Sequence, residues 1–375
     1  MCYQANARLH AKETMMRWGI FSLSQMPDQS GRVEDFERDL AQFELAEQLG
    51  YDSVWIAEHL FSTYGVVTST QVLAAAIAQR TKTIRIGTAV VVIPFNHPLR
   101  TASDFALVDV LSHGRLDFGI GRAYQPHEFT GLGLPMEESR AMFEEGIDIV
   151  LKSWTNETVA YEGKYWTIPQ PVEMLPKPVQ TPHPPVWQAT VSPESFEQAA
   201  RHGWHLQMAT PFTYRTYREQ WMEKLEESLG HYEATCSELG KDPKDAKRMV
   251  LLPFFCHENG DTAREIFGQH VQWFYDKVTN NQLAMQGQPS NVKGYELTMS
   301  EGIRTRGEGY LQFDKLYELG ATICDDPDTC IDKLREYKKR FGVTDFVLWS
   351  NIGGISHEHS DAAMRLAMER IIPHV

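Results

Sequence analysis

Apolar runs long enough to cross a bilayer are absent from the chain; none approaches the roughly 20 residues that a transmembrane helix needs. The opening stretch MCYQANARLHAKETM likewise has no apolar segment of the kind that forms a secretory leader. The expectation is a cytoplasmic protein with a short extension over residues 1–15, Met15 or Met16 being an alternative start. One domain then covers residues 16–375. Basic residues are also short: 36 Lys and Arg stand against 50 Asp and Glu, a formal net charge of -14. Such a chain repels nucleic acid and anionic lipid, so neither is an expected partner. Cysteine is scarce. Cys2, Cys236, Cys256, Cys324 and Cys330 are odd in number and show no C-x-x-C spacing, which argues for reduced thiols and against a disulfide framework or a zinc site.

What is present is alternation. Short apolar runs bounded by Gly, Pro and polar residues occur at Arg17–Leu23, Ser53–Ala57, Ile84–Ile93, Leu116–Gly121, Val186–Thr190, Leu206–Ala209, Met249–Cys256 and Asp345–Ser350. Near-continuous apolar runs suit strands buried on both faces, as in a parallel sheet. Helical spacing fills the gaps, for example Phe36, Leu40, Phe43 and Leu49, which Gly50 then terminates. Repeated strand–helix alternation predicts an α/β fold, a (β/α)8 TIM barrel with insertions near its mouth. A doubly wound sheet is the rival, but Ser24-Gln25-Met26-Pro27 is not the Gly-rich turn it would want after the first strand. Two stretches interrupt the rhythm. Thr158–Pro185 reads as a small hairpin beside the mouth, and the polar, Gly-bearing Asn280–Gly309 as a lid or binding loop.

In such a barrel the chemistry lies at the carboxyl ends of the strands. Glu58-His59, Arg122, Tyr124, Gln125, His127 and Glu128, and Val191-Ser192-Pro193-Glu194-Ser195 all fall there. Ser192 suits an N-cap and Pro193 the first helical position. The free N–H groups of that helix start, with Arg122, would cradle a phosphate, although Ser-Pro-Glu is also a common helix opening. FGIGRA carries a G-x-G without the third glycine, weak as a dinucleotide signal and compatible with close approach of a flat ligand. His59 is a candidate general base or hydrogen-bond donor, or simply a structural histidine. His357-Glu358-His359 lacks a third ligand and reads as a solvated turn; no metal site is expected.

Four segments, YDSVWIAEHLF, IRIGTAVVVIPFNHPLR, LSHGRLDFGIGRAYQPHEF and ATVSPESFEQAARHGW, together resemble the luciferase-like flavin monooxygenases. The likeness runs from about Trp18 to the C-terminal helix. It implies FMN, or in some branches the deazaflavin F420, bound at the barrel mouth. Arg122 and Arg140 match the two arginines that hold the phosphate in the luciferase α subunit. Val191, Ser192 and Ser195 match the helix start that assists them, Val191 replacing a glutamate. A non-prolyl cis peptide is implied at Ala89-Val90. His59 matches the histidine that assists the flavin's oxygen chemistry. Leu60 stands where luciferase has a second histidine and Gly121 where it has a reactive cysteine, which weakens any expectation of aldehyde specificity or light emission. Glu58 and Tyr124 are placed with the cofactor-binding residues, and Tyr124 with Gln125 would also shape the substrate side.

The expected activity is that of a two-component monooxygenase. Reduced FMN, supplied as a co-substrate by a separate NAD(P)H:flavin reductase, would react with O2 and oxygenate a small organic substrate, in a homodimer built through the first helices. The alternatives are an F420-dependent dehydrogenase on the same barrel and a non-catalytic flavin-binding subunit.

Overall fold

The computed structural model describes residues 16–28, 32–283 and 311–375. The expected extension over residues 1–15 lies outside them. So does the Asn280–Gly309 loop, apart from Asn280 to Leu283, which end a helix.

Twelve strands are described: β1 Arg17–Ser22, β2 Ser53–Ile56, β3 Arg85–Thr88, β4 Val91–Val92, β5 Leu116–Gly121, β6 Val159–Glu162, β7 Thr167–Val172, β8 Val186–Thr190, β9 His205–Ala209, β10 Arg248–Cys256, β11 Ile323–Asp325 and β12 Asp345–Asn351. Eight close a parallel ring in the order β1-β2-β3-β5-β8-β9-β10-β12, and β12 pairs back to β1 with Arg17 opposite Asp345. Each of the apolar runs supplies one staves' length of that ring, because a strand covered by helices outside and filled inside has no wet face to mark with polar residues. The seam is tied by charge as well as by backbone: the Arg17 guanidinium lies 2.5 Å from Asp345.

Two details differ from the sequence reading. The run Ile84–Ile93 is not one strand. It breaks at the cis Ala89-Val90 peptide into β3 and the two-residue β4. The short β11, whose residues Ile323, Cys324 and Asp325 pair with Phe254, Phe255 and Cys256, was not among the expected strands.

The helices are α1 Val33–Leu49, α2 Thr70–Arg80, α3 Pro98–Leu111, α4 Pro126–Leu132, α5 Ser139–Thr155, α6 Pro193–His202, α7 Thr210–Tyr217, α8 Trp221–Glu238, α9 Gly260–Leu283, α10 Phe313–Glu318, α11 Pro327–Phe341 and α12 His357–Leu366. Gly50 ends α1 in the left-handed region at φ 93°, its N–H bonded to the Ala46 and Glu47 carbonyls. Only glycine takes that conformation cheaply. His357-Glu358-His359 is solvated at Glu358 and His359, as expected, but it is the first turn of α12, capped by Ser356, and not a loop. Among the described residues no cluster of histidine, cysteine or carboxylate side chains could hold a metal. No described helix is long and apolar enough to cross a membrane. Cys236, Cys256, Cys324 and Cys330 are buried free thiols.

The hairpin β6–β7 lies along α5. The Glu145 carboxylate accepts the N–H groups of Lys164, Tyr165 and Trp166 at its tip. That hold brings the tip toward the start of α5, where Lys164 reaches Glu138 at 3.1 Å.

Candidate active site

The carboxyl ends of the barrel strands surround a cavity of about 430 Å³. Its walls are backbone and side chains that follow β2, β3, β5, β8 and β9: Glu58 and His59, Ala89 and Val90, Gly121 to Tyr124, Thr190 to Ser195, and the start of α7. His59, Glu58, Ala89, Val90, Arg122, Tyr124, Arg140, Val191, Ser192 and Ser195, all named from the sequence, line this one space, whereas Gln125, expected on the substrate side, is fully buried and does not line it.

One wall is fixed around the cis Ala89-Val90 bond. Ala89 donates its N–H to the Ile56 carbonyl at 2.7 Å. Thr88 exchanges hydrogen bonds with Gly119 through its hydroxyl, 2.8 Å each way, and its carbonyl accepts from Gln207 Nε2 at 2.8 Å. Past the bond, Val92 donates its N–H to Glu58 Oε1 at 2.7 Å, and the Thr70 hydroxyl reaches Glu58 Oε2 at 3.3 Å. Burial pushes the Glu58 carboxyl up to about 7, against the opposing pull of those donors. Its oxygens thus brace the segment that carries the cis bond. Glycine at 119 and 121 keeps this wall thin. A Cβ on Gly119 would lie 1.7 Å from the Thr88 carbonyl oxygen, and one on Gly121 2.6 Å from a Val90 methyl. The G-x-G of FGIGRA serves close packing of strand on strand.

His59 stands on another wall, 8% exposed, with Nδ1 2.8 Å from Glu128 Oε1. The same oxygen accepts the Leu60 N–H at 2.9 Å. A carboxylate there accepts, so Nδ1 carries the imidazole proton and Nε2 is left to meet a ligand. The His59 ring sits edge-on to Tyr64 and Tyr124 at 4.6 and 5.8 Å. Those two phenols are hydrogen-bonded to each other, and burial raises both well above the ordinary tyrosine value. They are neutral and present hydroxyl groups and ring faces.

One part of the cavity is built for an anion. Arg122 follows β5, Arg140 sits in the first turn of α5, and the start of α6 lines the same cavity, with its Glu194 near both arginines. Arg140 Nε is buried without a hydrogen-bond partner. Glu194 occupies this end: partial burial would raise its carboxyl, but the Ser192 hydroxyl, its own N–H and the charges of Arg140 and Arg122 outweigh that and hold it low. A carboxylate already stabilised there shows the arrangement accepts negative charge. Ser192 is the N-cap residue, as expected, yet its side chain makes no capping bond. Ser195 closes the turn, its hydroxyl donating to the Ser192 carbonyl at 2.6 Å and accepting the Val191 N–H at 3.1 Å. Two basic side chains, a helix start and a thin flat wall fit a flavin carrying a terminal phosphate. The residues that would hold it are Arg122, Arg140 and the Ser192–Ser195 turn, and Ala89 and Val90 line the space open to its ring system.

Two residues important to this geometry carried no distinct role in the sequence. Glu128 was one of several polar groups after β5, and its pairing with His59 spans 69 positions. Arg215, in the aromatic-rich α7, lines the cavity and was not singled out at all. Repeated tyrosines and arginines in TYRTYRE gave no means of telling it from Arg218.

Comparison with known proteins agrees with the fold. The family model for luciferase-like monooxygenases matches residues 16–345. Among curated relatives, the uncharacterised protein y4vJ of Sinorhizobium fredii is 34% identical over 58% of this chain and 59% of its own length. The oxygenase component of the flavin-dependent trigonelline monooxygenase of Acinetobacter baylyi is 23% identical over 96% of this chain and 95% of that one. Among solved structures, monooxygenase RslO1 from Streptomyces bottropensis matches with TM-score 0.79 and 31% identity, covering 96% of this chain and 99% of that one. The oxygenating constituent of 3,6-diketocamphane monooxygenase from Pseudomonas putida, in complex with FMN, follows at TM-score 0.77 and 18% identity, over 96% and 99%. The F420-dependent tetrahydromethanopterin reductase of Methanopyrus kandleri shares the fold at TM-score 0.69 and 20% identity, over 96% and 99%.

Proposed function

The chain belongs to the luciferase-like monooxygenase family, flavin-dependent oxidoreductases, and we propose that it uses reduced FMN and O2 to oxygenate a small organic substrate. The observation that carries this reading is that an anion cradle and His59 line one and the same cavity. Bound reduced FMN supplies the electrons that activate oxygen. The protein's own groups do the rest. Arg122, Arg140 and the α6 start hold the phosphate, and the Ala89-Val90 wall supports the ring. His59 Nε2, with Nδ1 fixed by Glu128, donates or receives a proton where oxygen reacts. The buried Tyr64 and the half-buried Tyr124 and Phe212 limit water at that point.

The role of the trigonelline relative as an oxygenase component supports a two-component system, with reduced FMN delivered by a separate NAD(P)H:flavin reductase. A homodimer in the cytoplasm is part of the same proposal. Exposed Val33, Val72, Leu107 and Leu111 lie on α1, α2 and α3 and supply apolar surface for such an interface. The F420-dependent hydride-transfer reading stays as the second one, because an F420-dependent protein shares the fold.

The test couples the protein to a purified flavin reductase across a dialysis membrane that passes FMN, with NAD(P)H, isotopically heavy O2 and a panel of small aromatic and alicyclic substrates. We expect heavy oxygen in a product only when the protein is present. Substrate oxidation without label incorporation would replace oxygenation by dehydrogenation.

A further inference from the structure

Among the described residues, one cation lining the cavity, Arg215, forms no ion pair. Arg215 is 3% exposed on α7 and lines the cavity, and its Nε and Nη2 atoms are buried without a hydrogen-bond partner. The groups acting most strongly on its charge are Tyr124, Tyr64, Arg218 and Tyr275. The tyrosines are kept neutral by burial, and Arg218 repels. Glu128, a carboxylate that lines the same cavity, accepts from His59 and the Leu60 N–H at Oε1, and its Oε2 makes no hydrogen bond to Arg215. Burying a guanidinium without a partner is costly, and a fold keeps one where something else completes it.

The two orphaned atoms define the shape of that partner. Nε and Nη2 form one edge of the planar guanidinium, with their N–H bonds side by side. This fork matches the two oxygens of a carboxylate. It is a different locus from the phosphate cradle. Arg122 and Arg140 act on Glu194 at the α6 start, whereas the groups acting on Arg215 include Tyr64 and Tyr124, whose rings pack against His59 and, for Tyr124, Phe212. Flat ring faces around a fork-shaped cation suit a planar acid.

We propose that Arg215 is a substrate-recognising residue and that the substrate is a small aromatic carboxylate, its acid group on the Nε/Nη2 edge and its ring between the cavity's aromatic side chains. This rests on the reading of the cavity as the place where substrate meets flavin. The neutral amide of the same acid lacks the charge and one acceptor oxygen, so it is the natural control.

The test is equilibrium binding of two matched pairs, benzoate with benzamide and 2-naphthoate with 2-naphthamide, by calorimetry under anaerobic conditions with reduced FMN and again without flavin. We expect the better-fitting acid to bind the wild-type protein at least about tenfold tighter than its amide. Arg215→Met should erase that preference, Arg215→Lys should keep part of it, and neither should change the affinity for reduced FMN. Equal binding of acid and amide, no binding of either acid, or an acid preference that survives in Arg215→Met would overturn the proposal. So would loss of FMN affinity in Arg215→Met with the acid preference intact, since Arg215 would then serve the cofactor. The wild-type comparison stands even if a variant fails to fold. Because no oxygen is present, failure of the monooxygenase reading would leave these outcomes unaffected.

Discussion

His59 Nδ1 and Glu128 Oε1 are 2.8 Å apart, and the oxygen that holds the imidazole also holds the Leu60 backbone N–H. Glu128 therefore positions His59 by two bonds at once, one to the ring and one to the chain that follows it. His59→Ala should slow oxygenation or lower the yield of oxygenated product while reduced-FMN binding stays close to normal. Glu128→Gln should cut turnover about tenfold or more, ~1.4 kcal/mol in the barrier, again with little change in flavin affinity. Single-turnover kinetics with separately measured dissociation constants checks both. Unchanged turnover in His59→Ala removes the histidine from the mechanism.

The anion cradle makes predictions of opposite sign for neighbouring residues. Arg122→Ala and Arg140→Ala should each weaken reduced-FMN binding by about 1.5–3 kcal/mol, the loss of a charge-assisted contact. Riboflavin, which lacks the phosphate, should bind these variants as it binds the wild type. Glu194 shares that end with both arginines. Glu194→Gln should tighten FMN severalfold by removing a competing negative charge. An arginine variant that loses riboflavin and FMN equally would show a structural defect and not a phosphate contact.

Glu58 links the site to stability. Its carboxyl sits at about 7, above the usual carboxylate range, because burial disfavours the charged form. The folded protein therefore binds a proton there that the unfolded chain releases at lower pH. The contribution is fully present below the unfolded value and is lost as pH rises through about 7. Over that window it amounts to roughly 3 kcal/mol. In Glu58→Gln the stability difference from wild type should shift in the variant's favour between pH 5 and about pH 8, as read by denaturant unfolding. A difference independent of pH would mean Glu58 is ionised throughout.

Gly119 has no room for a side chain. A Cβ there falls 1.7 Å from the Thr88 carbonyl oxygen, a backbone atom held by Gln207 next to the cis bond. Gly119→Ala should destabilise the barrel by ~3 kcal/mol or more and abolish flavin binding. A fully stable variant with normal FMN affinity would contradict the described packing. Gly121 is the milder case, because its Cβ meets only a Val90 methyl.

Much of this was legible in the sequence because the barrel strands are buried on both faces and announce themselves as apolar runs. Arg122 and the Ser192 helix start were legible as a candidate cradle because strand ends and helix starts follow directly from those runs; Arg140 came only from the resemblance. What escaped has local causes. Ile84–Ile93 is apolar throughout, so composition could not show that the chain breaks at Ala89-Val90; only the resemblance placed a cis bond there. The three residues of β11 are too few to carry a period. His357 opens a helix because Ser356 caps it, a signal outweighed by the His-Glu-His spacing. Glu128 and Arg215 matter through burial and distant partners, which no local pattern records.

The most direct test is an anaerobic titration of the purified protein with reduced FMN and, separately, with reduced F420, followed by mixing with oxygenated buffer. Saturable binding of reduced FMN, and reoxidation of the bound flavin at a rate that His59→Ala changes, are the expected results. Preference for F420 with no reaction toward oxygen would contradict the monooxygenase assignment and move the chain to hydride transfer.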